Sequence, residues 1–149
     1  MDISTELAHS ACSCFQARRL SRLLTQRYDR AFAPLGITVN QYALLRHADA
    51  GPTPTITALA ARLGMERSTL SRELRALEQA GWIALRAGRD ARAREVVVTP
   101  AGARLLRRAA TQWQQAQAAT EDALGIDTVR QLNTLLDTLA RRLSEPSLS

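Results

Sequence analysis

Apolar residues recur at roughly helical spacing through most of the chain. Between Leu7 and Phe32 they are Leu7, Ala11, Phe15, Leu20, Leu23, Leu24 and Tyr28, which predicts one long helix. Pro34 and Gly36 end it. Thr38 opens a second helix, and Gln41 three residues on completes a capping box. Tyr42, Leu44 and Leu45 supply the buried side of this helix. Asp49 to Pro54 is a turn-rich break. Thr57 is the expected cap of a short third helix carrying Leu59, Ala60 and Leu63, which Gly64 stops. Glu66 stands where an acid favours the positive end of a fourth helix, from about Arg67 to Ala80, with Gly81 as its stop.

The period then changes. Trp82 to Ala87 and Glu95 to Thr99 read as extended runs. Gly88-Arg89-Asp90-Ala91-Arg92 between them is turn-forming, so the pair predicts a β-hairpin. Pro100 suits the first turn of a fifth helix, which carries Leu105, Leu106, Ala109 and Trp113 and breaks at Gly125. Asp127 is the expected cap of a last helix. Its Val129, Leu132, Leu136, Leu139 and Leu143 repeat in the 3-4-3-4 spacing of a coiled-coil seam. The predicted order is α-α-α-α-β-β-α-α, a mainly α unit with one small hairpin and no internal repeat.

Composition narrows the class. The chain has 149 residues, 46% of them apolar, which fits one domain with a real core. Two cysteines make no disulfide framework, and Cys12-Ser13-Cys14 is not zinc-knuckle spacing. No run approaches the roughly 18 apolar residues of a membrane span, and the start lacks a secretory pattern. The expected location is therefore cytoplasmic, away from membranes. With 4% aromatic residues, an all-β fold is disfavoured.

Charge supplies the first functional clue. The net charge is +6, and every basic residue is Arg. Residues 62–108 hold eleven Arg against Glu66, Glu73, Glu78, Asp90 and Glu95, an excess of six. Elsewhere nine Arg meet nine acids, so the whole excess lies in one central segment. A localised basic footprint of this kind attracts nucleic acid.

That segment has helix-turn-helix proportions. On the fourth helix Leu70, Leu74 and Leu77 form one buried stripe. Ser68, Ser71, Arg72, Arg75 and Gln79 lie opposite, at about 100° per residue. Short hydroxyls and guanidinium groups are what a major-groove helix uses for phosphates and guanine edges. Arg67 and the first-turn N–H groups suit a backbone phosphate. An ordinary amphipathic helix with a solvated face would look similar. The hairpin separates the two readings: Arg86, Arg89, Arg92 and Arg94 gather there with only Asp90 near the tip, and a wing of that kind lays Arg in the minor groove. Asp90, two residues before Arg92, is placed to pair with its guanidinium and aim it. A helix-turn-helix followed by a basic hairpin is a winged helix.

These residues resemble the MarR family of bacterial transcriptional regulators over nearly the whole chain. The resemblance is carried by Leu35-Gly36-Ile37-Thr38-Val39-Asn40-Gln41-Tyr42, by the run from Leu59 through Gly64-Met65-Glu66-Arg67-Ser68-Thr69-Leu70 to Arg72, and by Leu77 to Ile83. Asp90-Ala91-Arg92 and Val98-Thr99-Pro100-Ala101-Gly102 continue it. It implies a homodimer held by the first and last helices. It also implies a palindromic double-stranded operator, bound through Arg67, Ser68, Thr69, Ser71, Arg72, Arg75, Arg89, Asp90 and Arg92. The implied activity is repression released by a small molecule or an oxidant. Residues 1–36 and 103–149 would then be dimerisation helices and 38–100 the DNA-binding lobe.

The first helix offers candidate inputs. Residues two apart on a helix point about 200° away from each other, so Cys12 and Cys14 are judged separately. Arg18, one turn after Cys14, favours a thiolate. Cys14-Phe15 resembles the Cys-Phe of the organic-hydroperoxide-sensing branch of the family, where tyrosines bond the cysteine. Tyr28 stands at one such position, while Arg18 and Val39 occupy the other two. The plainer reading of Cys14 is a small buried hydrophobe in a helix–helix contact. His9 shares a face with Cys12, and with Cys14 the set would suit a soft ion if the first turn opened. Tyr42, Arg46, His47 and Trp113 are candidate lining residues for a small-molecule pocket, each also serving as ordinary core or surface.

No Gly-rich phosphate loop, paired-carboxylate motif or metal-ligand cluster is present, so no catalysis, cofactor or metal is expected. Two rival functions use the same residues. A thiol-based redox protein working through Cys14 would need a resolving thiol and gains nothing from a basic wing. A sequence-independent architectural DNA binder would show little preference between operator and random DNA.

Overall fold

The structure is a computed structural model and describes residues 12–90 and 92–145. The predicted start of the first helix (Leu7 and Ala11), His9 and Ala91 lie outside the described residues. The elements are α1 (Ser13–Phe32), a 3-10 turn (Ala33–Leu35), α2 (Val39–Asp49), α3 (Ile56–Leu63), α4 (Arg67–Gln79), β1 (Ile83–Ala87), β2 (Arg94–Val98), α5 (Pro100–Leu124) and α6 (Ile126–Ser144). Their order is the predicted one.

The local signals act as their chemistry requires. Gly36 ends the 3-10 turn at φ 68°, a left-handed backbone that suits glycine. The Thr38 hydroxyl accepts from the Gln41 N–H at 3.1 Å, and the Gln41 side chain accepts from the Thr38 N–H at 3.1 Å. This reciprocal box fixes the rotation of α2, turning Tyr42, Leu44 and Leu45 inward. The Phe32 and Tyr42 rings meet there at 4.9 Å.

Two caps differ from expectation. Thr55, not Thr57, caps α3: its hydroxyl accepts from the Ala58 N–H at 3.1 Å. The reason is long-range. Thr55 bridges Glu95 of β2, and the Val96 N–H donates to the Pro54 carbonyl at 2.9 Å. Those bonds hold 54–55 extended, so the helix starts at Ile56 and Thr57 falls in its first turn. Asp127 does not cap α6. Gly125 is the residue before it, its carbonyl accepts from the Val129 N–H at 3.0 Å, and Asp127 becomes a first-turn acid 3.7 Å from Arg130.

The core joins α1–α4, the hairpin and the first half of α5. Phe32, Leu45, Leu59, Leu70, Leu74, Leu77 and Val96 are fully buried. The hairpin is antiparallel, with Ile83 opposite Val98 and Ala87 opposite Arg94. A knot at its base fixes the hairpin to both neighbouring helices. The Thr99 hydroxyl donates to the Gly81 carbonyl at 2.6 Å and accepts from the Gly102 N–H at 3.1 Å. Gly102 sits so close to the Trp82 carbonyl that a Cβ there would collide with it.

Candidate nucleic-acid interface

α3 and α4 are joined by Gly64, whose left-handed backbone (φ 63°) makes the turn between them. α4 is oriented by its apolar stripe, since Leu70, Leu74 and Leu77 all show no exposure. The opposite face is therefore fixed outward. Arg67, Ser68, Arg72, Arg75 and Gln79 are exposed along it, and Thr69 and Ser71 are half-buried at its margins. Among the described residues, the ion pairs are Arg86–Glu95, Arg130–Asp127 and Arg141–Asp137, so none uses an α4 guanidinium.

The wing carries Arg89, Asp90, Arg92 and Arg94, all exposed. Its turn is closed by the Gly88 N–H on the Ala93 carbonyl at 2.8 Å and the Ala93 N–H on the Asp90 carbonyl at 2.9 Å. The Asp90 carboxylate accepts from the main-chain N–H of Arg92 at 3.2 Å. This corrects the expected guanidinium pair: Asp90 shapes the tip through the backbone, as an Asx turn does, and leaves the Arg92 side chain for another partner.

Two members of the basic footprint serve the fold instead. Arg86 lies directly across from Glu95 in the strand register and pairs with it at 2.9 Å. Arg62 donates to the carbonyls of His47 at 2.7 Å and Ala50 at 3.5 Å, closing the C-terminal end of α2. Charge counting along the sequence does not separate such arginines from ligand-facing ones.

The long helices α1, α5 and α6, which make the stalk, look different. An open, mostly apolar cavity of about 380 Å³ lies between α1, α5 and α6, with Leu20, Leu24, Tyr28, Val39, Gln117 and Leu132 on its walls. The four residues expected to line a pocket are elsewhere. Tyr42 is buried in the core, Arg46 and His47 are exposed at the end of α2, and Trp113 on α5 is 40% exposed. The capping box decides this by rotating Tyr42 inward. Tyr28 lines the cavity although spacing along α1 does not signal it, because the other walls come from helices distant in sequence; its hydroxyl donates to the Gln117 side-chain oxygen.

Cys12 and Cys14 are both exposed. Only Cys14 is helical, since Cys12 is the extended residue before α1. The expectation of two helical cysteines is corrected accordingly. Arg18 stands one turn after Cys14. Tyr28, however, is 14 residues along α1, about 21 Å away, so one chain does not bring Cys14 and Tyr28 together. Among the described residues no group of His, Cys, Asp and Glu could hold a metal ion.

Residues 35–93, spanning α2 to the wing, match the sequence model of the MarR family. Over nearly its full length the chain is similar to MosR, a transcriptional regulator of M. tuberculosis whose structure was solved in complex with DNA. Identity is 34% and the TM-score 0.77, covering 89% of this chain and 98% of that one. The chain belongs to the MarR family. As a MarR protein it is a DNA-binding transcriptional regulator with a winged-helix fold. It is also similar to the transcriptional repressor CouR, at 26% identity over 91% of this chain and 95% of that one. CouR was solved on a 23-mer DNA duplex (TM-score 0.80) and bound to p-coumaroyl-CoA (TM-score 0.78). A MepR–DNA complex from S. aureus, at 20% identity and TM-score 0.74, covering 89% and 99%, shares the fold. No curated protein sequence matches the chain. Among the described residues no helix is long and apolar enough to cross a membrane.

Proposed function

We propose that this MarR protein is a cytoplasmic, homodimeric repressor that acts by binding and not by catalysis. Residues 38–100 form its DNA-binding lobe, and 1–36 with 103–149 its dimerisation helices. α4 enters the major groove of each half-site of a palindromic operator. Arg72 and Arg75 supply base or phosphate contacts, Arg67 and Ser68 hold the backbone at the helix start, and Thr69 and Ser71 line the margin. The wing lays Arg89 and Arg92 along the minor groove, with Asp90 shaping its tip. The observation that carries this reading is the polarity of α4, whose leucine stripe is fully buried and whose arginine face is exposed.

Release by a small molecule is supported by the apolar cavity between α1, α5 and α6. A ligand there would act on the helices that set the separation of the two reading heads. Oxidation of exposed Cys14 is the second input, favoured by its place on α1 with Arg18 one turn away. The two inputs separate cleanly: Cys14→Ser abolishes a hydroperoxide response and leaves a ligand response intact.

The decisive experiment measures binding to duplexes that the native protein enriches from a randomised pool. Arg72→Ala and Arg75→Ala should each weaken binding by about 1–3 kcal/mol. A base contact also relaxes preference at one position, whereas a phosphate contact makes the salt slope shallower. Unchanged binding by both variants would remove α4 as the reader.

A further inference from the structure

α4 carries an acid in the middle of its basic sequence, Glu73, directly after Arg72. An acid on a helix that approaches phosphate lowers affinity, so its place needs a reason. The structure gives one. The Asn40 side-chain amide donates to a Glu73 carboxylate oxygen at 2.7 Å. Asn40 lies in the first turn of α2, whose positive end favours a carboxylate.

That same turn is tied to the stalk. The Val39 N–H donates to the Asp29 carboxylate of α1 at 2.7 Å. Val39 also lines the stalk cavity, together with Tyr28, the neighbour of Asp29. The first turn of α2 is therefore a joint: Asp29 holds it from the stalk side and Glu73 from the reading side. Three successive residues, Thr38, Val39 and Asn40, carry the cap, the stalk bond and the bond to α4.

We propose that Asn40 and Glu73 are positioning residues that set the angle of α4 against the stalk, and so the specificity of DNA reading. Neither needs to touch a base. Their bond holds the arginine face of α4 in register with the operator. A helix free to tilt still binds phosphate but loses discrimination among base edges. The inference rests on α4 being the reader.

The test compares affinity for the duplex enriched by the native protein with affinity for a shuffled duplex of equal composition, at matched salt. Asn40→Ala should lower that ratio about threefold to tenfold, the range expected for one lost hydrogen bond of ordinary net strength at an exposed site. Glu73→Ala should lower it similarly, and the double variant no further, because the pair acts as one contact. Glu73→Gln retains an oxygen that accepts the same bond. It should keep the ratio near native while binding to both duplexes strengthens, since a repelling charge is gone. Simple destabilisation would lower both affinities together and leave the ratio unmoved. The proposal is overturned if Asn40→Ala leaves the ratio unchanged, or if Glu73→Gln loses as much as Glu73→Ala. Asn40 is exposed, so its variant tests the idea even if Glu73→Ala fails to fold. Arg72→Ala and Arg75→Ala in the same assay guard the underlying reading: if both leave binding unchanged, the reader assignment fails and not merely the joint.

Discussion

The reading lobe and the stalk are built from the same residue, leucine, with opposite results. Leu45, Leu59, Leu70, Leu74 and Leu77 in the lobe show no exposure. On α6, Leu135, Leu136, Leu139 and Leu143 are 56%, 47%, 44% and 88% exposed, and Val129 is the buried residue of that helix. The lobe is closed because the end of α1 and the first half of α5 pack over α2–α4 and the hairpin. The stalk presents an apolar row at heptad spacing, Leu136, Leu139 and Leu143, which the described residues leave 44–88% exposed. Such a row on a folded chain marks a surface for another protein chain. The lesson is that a seam pattern specifies a face, while burial needs a partner surface.

That contrast is broken most directly at the stalk. Leu136→Asp combined with Leu139→Asp should leave the lobe folded and convert the dimer to monomers, read by analytical ultracentrifugation. Operator affinity should fall at least about a hundredfold, because linked half-site binding is lost. A dimer that survives both charges would place the interface elsewhere.

A second test addresses the knot that joins the regions. Gly102→Ala forces a methyl against the Trp82 carbonyl and near Val98 Cγ1. It should destabilise the protein by about 1–3 kcal/mol in chemical denaturation. An unchanged midpoint would mean that α5 and the hairpin separate without cost. Within the lobe, Arg92→Ala should weaken operator binding by about 1–3 kcal/mol without altering dimerisation. Asp90→Ala should have the smallest effect, under about 1 kcal/mol in binding, because the Arg92 guanidinium remains and only its backbone bond is lost.

The sequence by itself determined the element order, the helix-turn-helix, the hairpin and the polarity of α4. Each depends on residues a few positions apart: the Thr38–Gln41 box, the glycines at 36 and 64, and the three leucines of α4. Local signals of that range survive in the unfolded chain and can be read from spacing alone. Tertiary structure decided the rest. It moved the α3 cap from Thr57 to Thr55, because Glu95 of β2 holds Thr55 extended. It committed Arg62 and Arg86 to the fold and turned Asp90 from its expected ion pair to a backbone bond. It placed the cavity against Tyr28 and Val39 instead of Tyr42, and brought Asn40 to Glu73. Apart from the turn contact of Asp90 and the cross-hairpin pair Arg86–Glu95, these pairings join different elements of the fold. Their geometry follows from how helices pack, and spacing within one helix carries no record of which neighbour will lie against it.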